Sequence, residues 1–372
     1  MSFEILQIYW WVIFSLVGAL FGFMLFVQGG QTLLFSFPNN KKKKDLIINI
    51  LGRKWELGFT TLVLFGGVAF AAFPRFYAVS FGGAYWLWIV ILIASVLQAV
   101  SYEFRKKSGN VFGSKFFEIF LFINGIVLSI GVGVFVSSLY NGNQFTLNEL
   151  GTSIWHNNLL GLEAFFSVFN LLLGFSVFFL SRILAIFYIY SHIDNDELNL
   201  KKDLFKKYFA NLILFLCSFL PWIVWMSLKD GYCVTESEVF VCSNKYFKNL
   251  IDMPIVVTLL SVGIILFLLS IIIFIKNKNK LPIWIAGLGS ILVYFSLFLN
   301  VGLNNTSFYP SSVKPSDSLT LSNSSSSLYT LNSMFYVSFL VPFVLMYIIY
   351  VWYKMDSKKI TNQEIDSDKN SY

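Results

Sequence analysis

The chain has 372 residues, 56% of them hydrophobic and only 13% charged. A soluble domain carries about a quarter charged residues, so a soluble enzyme or binding module is excluded. The formal charge of +7 does not point to nucleic acid, because the basic residues gather beside apolar runs.

Those runs approach the roughly 20 residues that cross a bilayer, and nine spans are predicted over roughly 8–30, 57–79, 81–102, 116–140, 162–190, 205–228, 253–275, 281–302 and 331–353. In lipid each span satisfies its own backbone hydrogen bonds, which makes the fold an all-α polytopic bundle. The first run carries Glu4 where a signal peptide carries positive charge, and it continues through "GALFGFMLFVQGGQTLL" without a cleavage site. It reads as a retained start-transfer helix. Residues 1–355 are expected to form one membrane domain, with outer loops at 141–161, 229–252 and 303–330. The tail, 356–372, is predicted to be disordered.

Assigning the connections alternately to two sides puts 21 Lys and Arg on one side and 5 on the other, with Arg182 inside a span. Lys41–Lys44, Arg53 and Lys54 open the basic side; Lys354, Lys358, Lys359 and Lys369 close it. The positive-inside rule then places the amino terminus outside and the carboxyl terminus in the cytoplasm.

Polar residues near the hydrocarbon cost free energy and ask for a reason. At the end of the first span Gln28 and Gln31 share a helix face at i, i+3. Trp55 and Glu56 open the second span and Glu103 closes the third. Both carboxyls are a similar number of residues from the turn near Ser80. Equal depth predicts that Glu56 and Glu103 lie side by side with the two amides at an inner mouth, a candidate proton entry. Capping fits Glu56 equally, since a negative charge at a helix start is favoured by about 0.3–1 kcal/mol. A surface pair with Arg105 or Lys107 fits Glu103. Glu118 and Glu163 read as helix-start acids. Arg182, well inside the fifth span, either snorkels to the interface or meets an anionic group of a partner.

Cys233 and Cys242 share one outer loop, where oxidising conditions favour a disulfide over two free thiols. Cys217 reads as a small buried residue. His156 and His192 fall on opposite sides and no Cys/His metal spacing appears, so no metal site is assigned to this chain. The serine-dense loop 303–330 has the composition of a flexible segment, yet it leads directly into an apolar helix.

Several stretches together resemble subunit II of the cytochrome bd quinol oxidases. These are "LQIYWWVIFSLVGALFGFMLFVQGG", "GRKWELGFTTLVLFGGVAFAAFPRFYAVSFGGAYW", "LQAVSYEFRKK" and the long end "YPSSVKPSDSLTLSNSSSSLYTLNSMFYVSFLVPFVLMYIIYVWYKM". Residues 141–280 match in hydropathy alone. The resemblance implies a bacterial inner-membrane complex that oxidises quinol and reduces oxygen to water. Haem b and haem d are carried by a partner, subunit I, beside membrane lipid, with room for a small accessory subunit. It further implies a scaffolding role and a share in a cytoplasmic proton path. Trp55 and Glu56 match the family's Trp–acid pair, and Glu103 and Arg105 match its acid and arginine at the third-span exit. Gln98 stands where some members have an arginine, which makes Gln98, Arg105 and Arg182 candidates to face the partner. The sequence departs from the pattern in "VQGGQT", where amides replace aspartates, and at Gly58 and Thr61. The competing reading is a polytopic secondary transporter, suggested by the Gly29–Gly30 interruption.

Overall fold

The computed structural model describes residues 2–37, 40–107, 109–193, 199–235, 238–277 and 281–357. Residues 358–372, most of the predicted tail, lie outside these. Within the described residues are eight helices long and apolar enough to cross a membrane: Phe3–Ser36, Trp55–Ala72, Tyr85–Phe104, Ser114–Asn141, Val168–His192, Leu200–Leu228, Pro254–Lys276 and Leu281–Gly302. A ninth span is a bent pair, Leu328–Ser338 and Val341–Met355, inclined by 45°. The break falls at Phe339–Leu340, just ahead of Pro342, which has no N–H to continue the ladder and crowds the turn before it.

The first span is the axis of the bundle. Of its apolar window 78% is buried, against 22% for the seventh span at the periphery. It packs on the second and eighth spans, and its lower part, Phe26–Thr32, is wedged between the fourth and fifth. Glycine makes that wedge possible. A Cβ on Gly29 would stand 2.3 Å from the Ser181 carbonyl carbon, and one on Gly125 would stand 2.5 Å from the Gln28 oxygen. The Gly29–Gly30 pair therefore lets helices approach closely. It does not form the unwound segment that the transporter reading needs.

Two connections are more structured than their composition suggests. "KKKK" opens a helix, Lys41–Gly52, capped by Asn40, whose Oδ1 accepts from the Lys43 amide at 3.0 Å. Its apolar residues, Ile47 to Leu51, turn inward and cover the lysine-rich end of the bundle. At the other end, the serine-rich loop is folded, contrary to its flexible composition. Its hydroxyls act as local bonding groups: Ser307 donates to the Leu319 carbonyl at 2.8 Å, and Ser311 donates to the Phe145 carbonyl. Thr320 and Asn323 form a reciprocal capping box. The loop packs over strands Phe145–Leu147 and Ser153–Trp155 and beside the hairpin Gly231–Val234/Val239–Cys242. Cys233 and Cys242 are disulfide-bonded across that hairpin. Cys217 is exposed on the apolar surface of the sixth span, not buried as its sequence context suggested. The fifth span begins at Val168, six residues later than read, because Leu162–Phe166 is a separate 3-10 turn. There Glu163 accepts from the Gly161 amide at 2.8 Å.

Candidate functional site

The third span carries Gln98, Tyr102 and Arg105 at i, i+4 and i+7, which is one helical stripe. All three are buried. The first span descends beside it with Gln28 and Gln31, and the two helices meet rung by rung. Gln28 Nε2 donates to Gln98 Oε1 at 3.1 Å, and Gln31 Nε2 donates to the Tyr102 hydroxyl at 3.2 Å. Trp55 lies flat on Tyr102, with centroids 5.6 Å apart and planes 8° from parallel. Asn124 of the fourth span donates to the Ala94 carbonyl at 2.9 Å and extends the polar stripe upward.

Below this ladder the stripe ends in charge. Arg105 pairs with Asp45 of the amphipathic helix and with Glu118 of the fourth span, the latter at 3.0 Å. Lys44 Nζ completes the group 2.8 Å from Glu118. Glu118 is thus a buried ion-pair partner, four residues into its helix, and the helix-start reading is corrected. Asp45 and Lys44 were missed. They lie in a segment read as a connection, and only its helical fold turns them inward.

Glu56 and Glu103 stand elsewhere. Both are on the outward faces of their spans, and Glu103 sits 3.8 Å from Lys107, one turn on. Their matched depth does not make them neighbours of the amides, because depth says nothing about azimuth. Successive helical residues differ by about 100°, so burying Trp55 and Tyr102 turns Glu56 and Glu103 outward. Gln98 and Arg105, read as facing a partner, instead point into this chain's interior. Arg182 joins neither group. It is half-buried on the fifth span with its guanidinium 5.4 Å from the Phe178 ring centroid.

The ladder has spare hydrogen-bonding capacity. Gln28 Oε1, Gln31 Oε1, Gln98 Nε2 and Trp55 Nε1 are buried without a hydrogen-bond partner among the described residues. Buried polar atoms are normally satisfied, so four such atoms along one seam set it apart from the rest of the interior.

The histidines are far apart in role. His156 Nε2 is 2.9 Å from the Thr146 hydroxyl in the strand loop, and His192 faces Asp356 at the opposite end. Among the described residues no group of three or more His, Cys, Asp or Glu is placed to hold a metal ion.

The comparisons with known proteins agree with this architecture. Over its full length the chain is 28% identical to a probable cytochrome oxidase subunit 2 of Haemophilus influenzae, covering 99% of it. It is 26% identical to the cytochrome bd-I ubiquinol oxidase subunit 2 of Escherichia coli, again over 100% of this chain and 99% of the relative. A Bacillus subtilis cytochrome bd ubiquinol oxidase subunit 2 is 24% identical over 94% of this chain and 96% of its own. In three dimensions the fold matches a chain of the bd oxidase from Geobacillus thermodenitrificans with a TM-score of 0.59 and 16% identity, covering 94% of this chain and 98% of that one. The sequence profile described as cytochrome bd terminal oxidase subunit II matches residues 6–355, nearly the whole of the described structure, and the chain belongs to that family.

Proposed function

We propose that this multi-pass inner-membrane chain scaffolds a haem-bearing subunit I of a bd-type quinol oxidase and lines its proton supply from the cytoplasm. Haem b and haem d belong to the partner in this reading, since this chain offers only two histidines, at opposite ends of the bundle. The observation that carries the proton path is the buried Gln28–Gln98 and Gln31–Tyr102 ladder with its unsatisfied atoms.

The outward faces of the spans support the scaffold. The seventh span presents Ile255, Val262, Ile265 and Leu268 to its surroundings, as a lipid-facing helix does. The second and third spans frame an apolar groove of about 530 Å³ instead, beside Gly67, where an added Cβ meets nothing within 4 Å. A small residue on an outward helix face lets another helix approach. Thr60 and Glu56 share that outward face of the second span. A partner seated there covers Glu56 and puts its carboxyl at the interface, where it could hand a proton from one subunit to the other. Arg182 offers a cation to an anionic group of the partner.

Glu56→Gln tests the reading in the co-purified complex. Oxygen reduction should slow by about tenfold or more, in line with loss of a positioned proton donor, while subunit content and haem spectra stay unchanged. Full turnover would leave Glu56 as a helix cap. Gln31→Leu, which removes an amide from the ladder without touching the outward face, should slow the reaction too. Purified alone, the chain should bind no stoichiometric haem.

A further inference from the structure

The turn between the third and fourth spans holds two apolar side chains away from the bundle. Val111 is 91% exposed and Phe112, next to it, is 70% exposed. Glycines stand on both sides of the pair, Gly109 at φ 94° and Gly113 at φ 77°. Residues with a Cβ rarely adopt such a backbone. A Cβ at either glycine would meet nothing within 4 Å, so the turn itself and not crowding calls for glycine. Asn110 fastens the turn from inside. Its Oδ1 accepts from the Gly113 amide and its Nδ2 donates to the Arg105 carbonyl, both at 2.9 Å. Its own amide donates to the Lys107 carbonyl at 3.2 Å. These bonds close the turn and leave Val111 and Phe112 at its tip.

Aromatic rings carry the tip on into the fourth span. Phe112 stacks on Phe116 with centroids 4.8 Å apart and planes 21° from parallel, and Phe116 meets Phe120 at 4.4 Å. Ile119 and Ile123, one turn apart on the same span, are each 39% exposed, so the stair of rings joins a face that this chain leaves uncovered. Lysines flank the stair. The stretch "FRKKSGNVFGSKFF", Phe104 to Phe117, has four basic residues and no acid. Arg105 turns inward, whereas Lys106, Lys107 and Lys115 are exposed. Glu103 offsets part of this charge through Lys107. A single exposed apolar side chain carries no such meaning, and Leu150, in the strand loop at the opposite end, is 89% exposed. The tip differs from Leu150 in being two residues in a row, continuous with an uncovered span face and set among lysines.

We propose that the tip Val111–Phe112 is a membrane anchor, entering the headgroup boundary at the lysine-rich end while the lysines beside it draw anionic lipid headgroups around it. Two observations favour the bilayer over a protein partner. The stair makes the tip continuous with a span face at membrane depth, and aromatic rings settle at the headgroup level. Lysines clustered just beyond a span attract anionic lipid, and their stems lie along apolar surface while the ammonium groups stay at the phosphates. By the positive-inside rule this leaflet is the inner one. Asn110 and the Ser114 hydroxyl both donate to the Arg105 carbonyl, so the anchor fixes the backbone beneath the amide ladder. What that does for proton supply rests on the proposed function, whereas the anchor itself does not.

Photo-crosslinking in the intact complex tests this. A benzophenone-bearing phenylalanine replaces Phe112, whose exposure leaves room for it. The complex is then placed in nanodiscs of phosphatidylethanolamine with phosphatidylglycerol as the minor component, and mass spectrometry of the peptide identifies what the side chain touched. Phospholipid adducts are expected, with phosphatidylglycerol enriched over its share of the bilayer by about fivefold. The same group at Val111 should give the same adducts, which guards against a failure peculiar to one position. Lys107→Gln combined with Lys115→Gln should bring the ratio back towards the bilayer's own share and leave the total lipid adduct in place. Adducts to a protein chain at both positions, or no lipid adduct at either, overturn the anchor. Enrichment that survives the lysine substitutions overturns the headgroup contact. None of these readouts depends on oxygen reduction.

Discussion

The two ends of the bundle bury polar groups by different means. At the lysine-rich end they are ions: Lys44, Asp45, Arg105 and Glu118 in one cluster, and Lys54, His192 and Asp356 in another. At the opposite end they are mostly amides and hydroxyls. Asn249 Nδ2 donates to the Asn300 carbonyl and to the Thr306 hydroxyl, both at 2.8 Å, and Asn300 Nδ2 donates to the Tyr246 carbonyl at 3.0 Å. Asp317 is an acid there, but it accepts from the Leu147 amide at 2.8 Å and meets the exposed Lys314 at 2.9 Å. A neutral network closed on itself is insensitive to protons. A buried ionic cluster responds to each proton, because the loss of one partner strands the others. The end that handles protons in the proposed function is the one built to respond to them.

Arg105→Leu is the sharpest test of that contrast. It leaves the buried Glu118 with Lys44 as its one ion-pair partner among the described residues and strips the half-buried Asp45 of its arginine, and removing one partner from a buried ion pair costs about 3–5 kcal/mol. The complex should lose much of its thermal stability or fail to assemble, as read by its unfolding temperature and subunit content. Asn249→Ala at the other end should cost less, about 1–3 kcal/mol for the groups left unbonded, and the loss should be constant with pH. A pH-dependent loss there would erase the distinction between the ends. On the acid side, the contribution of Asp356 is present above its ordinary range and is lost as pH falls through its depressed folded value. Acid unfolding of Asp356→Asn should therefore lack that part of the wild-type slope.

Much of this was legible in the chain. The number of spans and their order follow from apolar length, and Gln28 and Gln31 stand out as amides in an apolar run. What escaped was azimuth and cover. Glu56 and Glu103 share a depth, yet Trp55 and Tyr102 occupy the inner faces and turn both acids outward. Lys44 and Asp45 look like part of a solvated run until the helix Lys41–Gly52 folds over the bundle. Asp356 looked like the start of a loose tail, because its partners Lys54, Tyr188 and His192 are hundreds of residues or several spans away. Conversely, the serines of 303–330 signal flexibility by composition but bond the backbone of their own loop and of the strand beside it.

The smallest expected effect sits on the same helix as the largest. Glu103 is two residues from Arg105, but its side chain is 47% exposed and Lys107, its partner at 3.8 Å, is 59% exposed. An exposed i, i+4 pair contributes about 0.3–0.5 kcal/mol and is screened by salt. Glu103→Gln should therefore leave the unfolding temperature of the complex nearly unchanged, and less changed still at high ionic strength. Its oxygen reduction should stay close to wild type, because the proposed route runs through Glu56 and Glu103 is occupied by Lys107 at the exposed rim. A slowing comparable to that of Glu56→Gln, with stability intact, would mean that the outward faces of the second and third spans carry protons together. The proton route would then run along the seam between the subunits, with the buried amide ladder only as its wall.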